Sequence, residues 1–432
     1  MSTKVVFIGG GSAKFVREVV VDLFNYVELQ DITVCLMDIN RERVKLAEAL
    51  VKKIIREMKI EASVESTLDL RKALDGSDYV IISYMIGGYE CYRRDVEIPE
   101  KYGVLQTISD TTGPGAVMRL VRTAPEIRKI VRNLKELSPD AWVLNYANPM
   151  AMNTWYFGEY GHSRTIGLCH SIQGCYAEFF AKWLNVPPEE IEYSAGGINH
   201  VNFYLTLKHN GRDLYPDLRT CAEKVIKEYP AERLRFELLE YLGYFPAEGP
   251  QHQAEYYPWF MKDPETAVHY GAETGSGYRV DLKYFQEKNV EVKKQISGEL
   301  PIDFNESIEY GGKIIHSLET GRIREIYGNV RNKGLISNLP DNAVVEVPCM
   351  VSKNKILPCR IAPLPLQLAA VMRPHIAVQE MAVAAVVRKD RKLLEQAIQT
   401  DPLTGAILTL PRIKEMSNEL FKANSAYLED WK

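Results

Sequence analysis

The sequence predicts an α/β fold, a mostly parallel sheet covered by helices on both faces, with a second α+β lobe behind it. Two observations lead there. Strand-like and helix-like segments alternate over the first 200 residues, and the strand-like ones are continuously apolar instead of alternating. Strands of that kind are buried on both faces, which is the signature of a parallel sheet with helical crossovers.

The elements follow in order. "KVVFIG" (4–9) reads as the first strand, with a helix from about Ala13 to Val27. "ITVCLMD" (32–38) is the second strand, and a helix begins near Arg41. "DYVIISY" (78–84), "WVLNYANP" (142–149) and "TIGLC" (165–169) continue the series. After residue 200 the pattern changes: "HVNFYLTLKHNGRDLYP" reads as strands joined by an Asn-Gly turn. Helical stretches come next, then "NAVVEVPCMV" as a strand and a helical C-terminus from about residue 365. The chain is accordingly expected to divide into 1–195 and 196–432, with the functional cleft between the two lobes.

The turn after the first strand carries the first chemistry. In "FIGGGSAKFV", Gly9, Gly11 and Ser12 lie between strand and helix. Glycines there permit a tight turn and let backbone N–H groups approach a pyrophosphate at the helix N-terminus. The full dinucleotide fingerprint has a third small residue where this chain has Lys14. Asp38, at the end of the second strand, is placed to accept both ribose hydroxyls of an adenosine and to repel a 2′-phosphate. The first 195 residues are therefore read as a Rossmann-like domain that takes NAD rather than NADP.

Composition narrows the class. The 432 residues are 46% hydrophobic and 25% charged with a net charge of −4, which gives no electrostatic footprint for nucleic acid or an anionic membrane. "MSTKVVFIGGG" enters a strand at once, without the pattern of a secretory leader. The most apolar stretch, 366–387, is broken by Arg373, Pro374, His375, Gln379 and Glu380, so no membrane span is expected. Seven scattered cysteines argue against a disulfide framework and for a reducing compartment, the cytoplasm.

"NYANP" (145–149) is similar to the Asn-Pro turn that meets the nicotinamide in lactate and malate dehydrogenases. A hydroxy-acid dehydrogenase would add a His–Asp pair and a carboxylate-binding Arg, and no such set is evident. Instead the chain has "GLCHSIQG" (167–174) and "GINH" (197–200). Together with "FIGGGS", "LMDIN", "SDTTGPG", "LNYANPMAMNTW", "AEYYPWF" and "YGNVRNKGLISNLPDNAVVEVPC", these motifs run the length of the chain. In that order they resemble glycoside hydrolase family 4, the NAD- and manganese-dependent glycosidases. "NPMAMNTW" and the Cys-His-Ser version of the metal motif are most similar to its bacterial α-galactosidase subgroup.

The resemblance implies a redox-assisted elimination in place of the usual two-carboxylate mechanism. Hydride leaves C3 of the sugar for NAD⁺, a base removes the acidified C2 proton, and the glycosidic oxygen departs from C1. Water then adds and the hydride returns. It further implies Cys169 and His200 as ligands of Mn²⁺, although a mixed S, N and O set does not itself select manganese. His170 becomes the acid at the glycosidic oxygen or a hydrogen-bonding partner of a sugar hydroxyl, with an ordinary pKa of ~6.5. Tyr256 becomes the C2 base, with neighbouring Tyr257 as the one-residue alternative, and Asp110 the group that accepts the phenol's proton. Asn148 is expected to bridge cofactor and sugar. The implied substrate is an unphosphorylated α-galactoside such as melibiose, with an α-glucoside or a uronide as the alternative within the family. The implied assembly is a homo-oligomer, a dimer or tetramer. A 2-hydroxy-acid dehydrogenase or a non-catalytic NAD sensor stands as the reading from another class.

Overall fold

The computed structural model describes residues 2–429 and 431. Its strands are β1 (Lys4–Ile8), β2 (Thr33–Met37), β3 (Ser63–Thr67), β4 (Tyr79–Ile82), β5 (Trp142–Asn145) and β6 (Thr165–Gly167). They continue with β7 (Ile191–Ile198), β8 (Val201–His209), β9 (Arg212–Asp213), β10 (Arg324–Arg331), β11 (Val344–Ser352) and β12 (Lys355–Pro358). All of these join one sheet, in the order β3-β2-β1-β4-β5-β6-β10-β11-β7-β8-β9, with β12 beside β11.

The first six strands are parallel, in the 3-2-1-4-5-6 order of a dinucleotide-binding sheet. Successive side chains of β1 serve opposite cores: Val5 and Phe7 on one face, Val6 and Ile8 on the other. That two-sided burial is why these strands read as unbroken apolar runs. Helix Ala13–Phe24 buries Val16, Val19, Val20 and Leu23, an i, i+3, i+4, i+7 stripe that seats it on the sheet.

From β6 onward the pairing is antiparallel: β10 pairs β6, β11 pairs β10, and β7 pairs both β11 and β8. Residue 195, the expected lobe boundary, lies inside β7, and the sheet runs unbroken through both portions. Helix Leu366–Arg388 is long and apolar enough to cross a membrane by length and composition, but half of its apolar window is buried against the protein. It packs on helices Gly113–Leu137 and Met150–Glu159.

One buried group makes the fold pH-sensitive. Burial, with Lys135 and Arg164 adding to it, holds the His162 imidazole down at about 4. Unfolding restores its ordinary 6.5. The unfolded chain therefore takes up the proton first, and this contribution to stability is complete above pH 6.5 and lost as pH falls toward 4. Between about pH 7 and about pH 5 the loss comes to about 2 kcal/mol. Denaturant unfolding at those two pH values should show a smaller stability drop for His162→Asn than for the parent; an equal drop rules the histidine out.

Candidate active site

The site lies at the carboxyl ends of the parallel strands, where an open α/β sheet binds its ligands. Gly9 follows β1, with φ of +90°, and a Cβ there would sit 2.7 Å from the Ser83 carbonyl oxygen beyond β4. Only glycine lets the two strand ends come so close. A Cβ at Gly11 would lie 2.6 Å from Asp38 Oδ2. The carboxylate is held against this turn: Oδ2 accepts the Gly11 N–H at 3.0 Å and Oδ1 the Asn40 N–H at 2.8 Å. The Gly9 and Gly10 amides bond the Met37 carbonyl at 2.9 Å each. The turn thus satisfies its own amides, where the sequence suggested that they face a pyrophosphate. Each Asp38 oxygen still has a lone pair for a ribose hydroxyl. Ser12 caps helix Ala13–Phe24 through its backbone, its carbonyl accepting the Val16 N–H at 2.9 Å.

A second constellation gathers from distant parts of the chain. Cys169 follows β6, and His200 sits in the two-residue turn between β7 and β8, with a φ of +66° that few non-glycine residues adopt. Cys169 Sγ lies 3.7 Å from His200 Nε2 and 3.8 Å from a Glu248 carboxylate oxygen, which is 3.3 Å from that same nitrogen. Burial pushes the Cys169 thiol well up, and the negative Glu248 and Glu346 add to it. Burial opposes charge on Glu248 too, but His200, His252 and the Gly249 N–H outweigh it and hold the carboxyl at about 2.

Behind His200 runs a short relay. Its Nδ1 is 3.1 Å from Thr111 Oγ1, and the Thr111 hydroxyl in turn bonds the Tyr256 phenol and favours its anion. Were the Nε2 lone pair to face a cation, Nδ1–H would donate to Thr111 and leave the Thr111 hydroxyl free to donate to Tyr256. Burial still drives the Tyr256 phenol well above its usual range. Asp110 accepts the Asn148 amide at 2.6 Å and stands 4.0 Å from the Arg119 guanidinium. His170 lies at the mouth, its side chain 60% exposed, with Nδ1 3.2 Å from Glu309. That hydrogen bond raises the imidazole above its usual value despite desolvation.

Tyr257 faces elsewhere: its ring stacks on Trp259 at 5.2 Å and meets Phe260 edge-on. Of the two adjacent tyrosines, it is Tyr256 that reaches the cluster.

Two family profiles cover this chain. The family 4 glycosyl hydrolase profile matches residues 4–186, and its C-terminal domain profile matches 195–404. The chain belongs to glycosyl hydrolase family 4. An α-galactosidase of Bacillus subtilis (strain 168) is 36% identical, covering 99% of this chain and 100% of its own. An α-galactosidase of Rhizobium meliloti (strain 1021) is 32% identical, with 100% and 90% covered. Among solved structures, a 6-phospho-β-glucosidase of Thermotoga maritima, determined with manganese, NAD⁺ and glucose-6-phosphate, superposes with a TM-score of 0.81. It is 23% identical and covers 98% of this chain and 99% of its own.

The family 4 chain thus brings Cys169, His170, His200, Tyr256, Asp110 and Asn148 into one region, with Gly9, Gly11, Ser12 and Asp38 at the β1 and β2 ends of the same strand edge. Sequence reading missed Glu248, which completes an S, N and O donor set of the size a divalent cation takes. It also missed His252 and Glu255, on the short helix Pro250–Tyr256 with Tyr256 itself. Glu255 accepts the Ile108 and Ser109 amides at 3.0 and 2.8 Å and so anchors the loop that presents Asp110. Burial opposes charge on His252, yet Glu255, Glu248 and Asp110 lift it to about 9. The available signal was the run of acids and histidines in "EGPQHQAEYY" (248–257).

Proposed function

We propose that this family 4 glycoside hydrolase is an α-galactosidase of unphosphorylated substrates such as melibiose, dependent on NAD⁺ and a divalent cation, with Mn²⁺ as the natural one. The observation that carries the reading is the Cys169–His200–Glu248 donor set joined through Thr111 to Tyr256. When bound, the nucleotide supplies reversible hydride acceptance at C3, and the cation supplies Lewis acidity where negative charge develops.

The chain's own residues then divide the work. Cys169, His200 and Glu248 hold the cation, and Asp38 with the glycine turn holds the adenosine end of NAD. Tyr256 Oη takes the C2 proton, helped by the Thr111 hydrogen bond, and Asp110 receives the proton that the phenol must shed first. Asn148 fixes Asp110 and orients sugar and nicotinamide. His170, whose imidazolium form Glu309 favours, delivers a proton to the departing glycosidic oxygen.

The preference for an unphosphorylated sugar rests on charge. Glu248, Glu255, Asp110, Glu309 and Glu346 surround the cluster, and Arg119 is turned onto Tyr92, Asp95 and Asp110. Arg93 and Arg94 pair with Glu90 on the surface, and Arg331 pairs with Glu159. The two histidines raised there, His252 and His170, already face carboxylates, so a buried phosphate would find no free cationic partner and be strongly disfavoured. Galactose as the sugar is supported by the full-length identity to two α-galactosidases. The same reading carries the cytoplasm, supported by seven cysteines that are all free, and a homo-oligomeric assembly.

The test compares kcat/KM for nitrophenyl α-galactoside, α-glucoside, α-galacturonide and 6-phospho-α-glucoside with NAD⁺, Mn²⁺ and thiol reductant. The galactoside should lead; a lead for the phosphorylated sugar overturns the substrate assignment. In the same assay, His170→Asn should slow melibiose by ~10²-fold or more and the nitrophenyl galactoside far less, because a good leaving group needs no acid.

A further inference from the structure

Cys169 and His200 approach to 3.7 Å, yet they hang from strands that are not neighbours. From β6 to β7 the sheet passes through β10 and β11. Three inter-strand steps amount to roughly 14 Å at the level of the sheet. The two ligands must therefore lean toward each other over the ends of β10 and β11, and whatever fixes those four strands relative to one another fixes the ligand spacing.

One row of residues crosses at that point. Gly167 of β6 is paired with Asn329 of β10, Asn329 with Glu346 of β11, Glu346 with Gly197 of β7, and Gly197 with Asn202 of β8. The strands that lead to the ligands contribute glycines to it. A Cβ at Gly167 would stand 3.1 Å from the Asn329 Cβ, and one at Gly197 would stand 2.8 Å from the Asn202 Cα. Across Gly197, where no side chain intervenes, the Asn202 amide donates to the Glu346 carboxylate. Glu346, Asn202 and Asn329 are all fully buried, and of the two asparagines it is Asn202 that hydrogen-bonds the carboxylate. Asn202 is two residues beyond His200. The carboxylate acts electrostatically on Cys169 from one side and feels Glu248 from the other.

We propose that Glu346 is a positioning residue for the cation ligands, clamping the His200 turn between β7 and β8 onto β11 through Asn202. The inference rests on the reading of Cys169 and His200 as cation ligands. A buried carboxyl is an unfavourable way to fill space in a sheet centre, where an aliphatic side chain packs without desolvation. Its presence is accounted for by a hydrogen bond that spans a strand. Outer hydrogen-bond partners of this kind tune metal affinity without touching the metal. Burial also lifts the Glu346 carboxyl to about 7, so a neutral side chain of the same shape is a fair substitute.

The experiment compares the parent with Glu346→Gln, Glu346→Met and Asn202→Ala, titrating full-length protein with Mn²⁺ alone and reading free Mn²⁺ by electron paramagnetic resonance. NAD⁺ affinity and thermal unfolding are measured alongside. Glu346→Met should bind Mn²⁺ about 10- to 100-fold more weakly at unchanged NAD⁺ affinity, and Glu346→Gln should stay within about threefold of the parent. Asn202→Ala should weaken Mn²⁺ in the same direction, and it decides the matter with Glu346→Gln if Glu346→Met does not fold. Parental Mn²⁺ affinity in Glu346→Met or Asn202→Ala overturns the inference. So does a loss in Glu346→Gln as large as in Glu346→Met. A parent protein that binds no Mn²⁺ would instead defeat the ligand assignment on which the inference rests.

Discussion

Cys169→Ser is expected to lose metal-dependent glycosidase turnover almost completely while binding NAD⁺ as the parent does. A serine hydroxyl is far harder to ionise than a thiol and is not a soft donor, so the site is left with His200 and Glu248 alone. With the cation gone, no Lewis acid meets the charge that builds on the sugar, and kcat should fall by ~10³-fold or more. The glycine turn is separate: Gly9, Gly11 and Asp38 bond one another and the ends of β2 and β3, and none of these bonds involves the thiol. Equilibrium dialysis with Mn²⁺ and NAD⁺ separates the two affinities. Normal metal-dependent turnover in this variant would mean that Cys169 is not a ligand.

Tyr256→Phe should have the next largest effect, and a specific one. Reaction in D₂O is expected to place deuterium at C2 of the released galactose, because that proton is removed and later replaced. Taking away the phenol should slow this exchange by ~10²–10⁴-fold, the usual weight of a positioned base. Tyr257→Phe should exchange at nearly the parental rate, since its ring is stacked on Trp259 and edge-on to Phe260. A reversal of the two results would move the base by one residue; an unlabelled product in the parent would favour direct displacement.

What could be read from the chain follows from which signals are local. β1, β2, β4 and β5 carry apolar runs because both of their faces are covered, and they were legible for that reason. β3, "SVEST", lies at the sheet edge and is largely polar, so nothing in its sequence marks it as a strand. β7, "IEYSAGGI", carries two glycines and does not alternate cleanly. Those glycines are set by what passes over and beside them, which no local pattern reveals.

The site divides in the same way. Cys169, His200 and Asp38 stand in short motifs at strand ends and announce themselves. Glu248, Glu255 and His252 do not, because an acid in "EGPQHQ" acquires meaning only when β8 carries it to His200. The bridge Phe203–Pro246 and the Ala247 N–H to the Asn202 carbonyl, at 3.1 Å, are what deliver it there. Such tertiary pairings are invisible in one sequence. The self-satisfied amides of the glycine turn were likewise unreadable, since they depend on where Asp38 folds back.

The backbone at His200 sets fitness against robustness. A non-glycine residue held at a φ of +66° in a two-residue turn stores of order 1–3 kcal/mol that glycine would release. Mutational drift toward a sturdier protein is therefore drawn to glycine at this position, and that same step deletes the imidazole. Heat-selected libraries of this enzyme, screened without its substrate, should accumulate changes there and yield well-folded, inert chains.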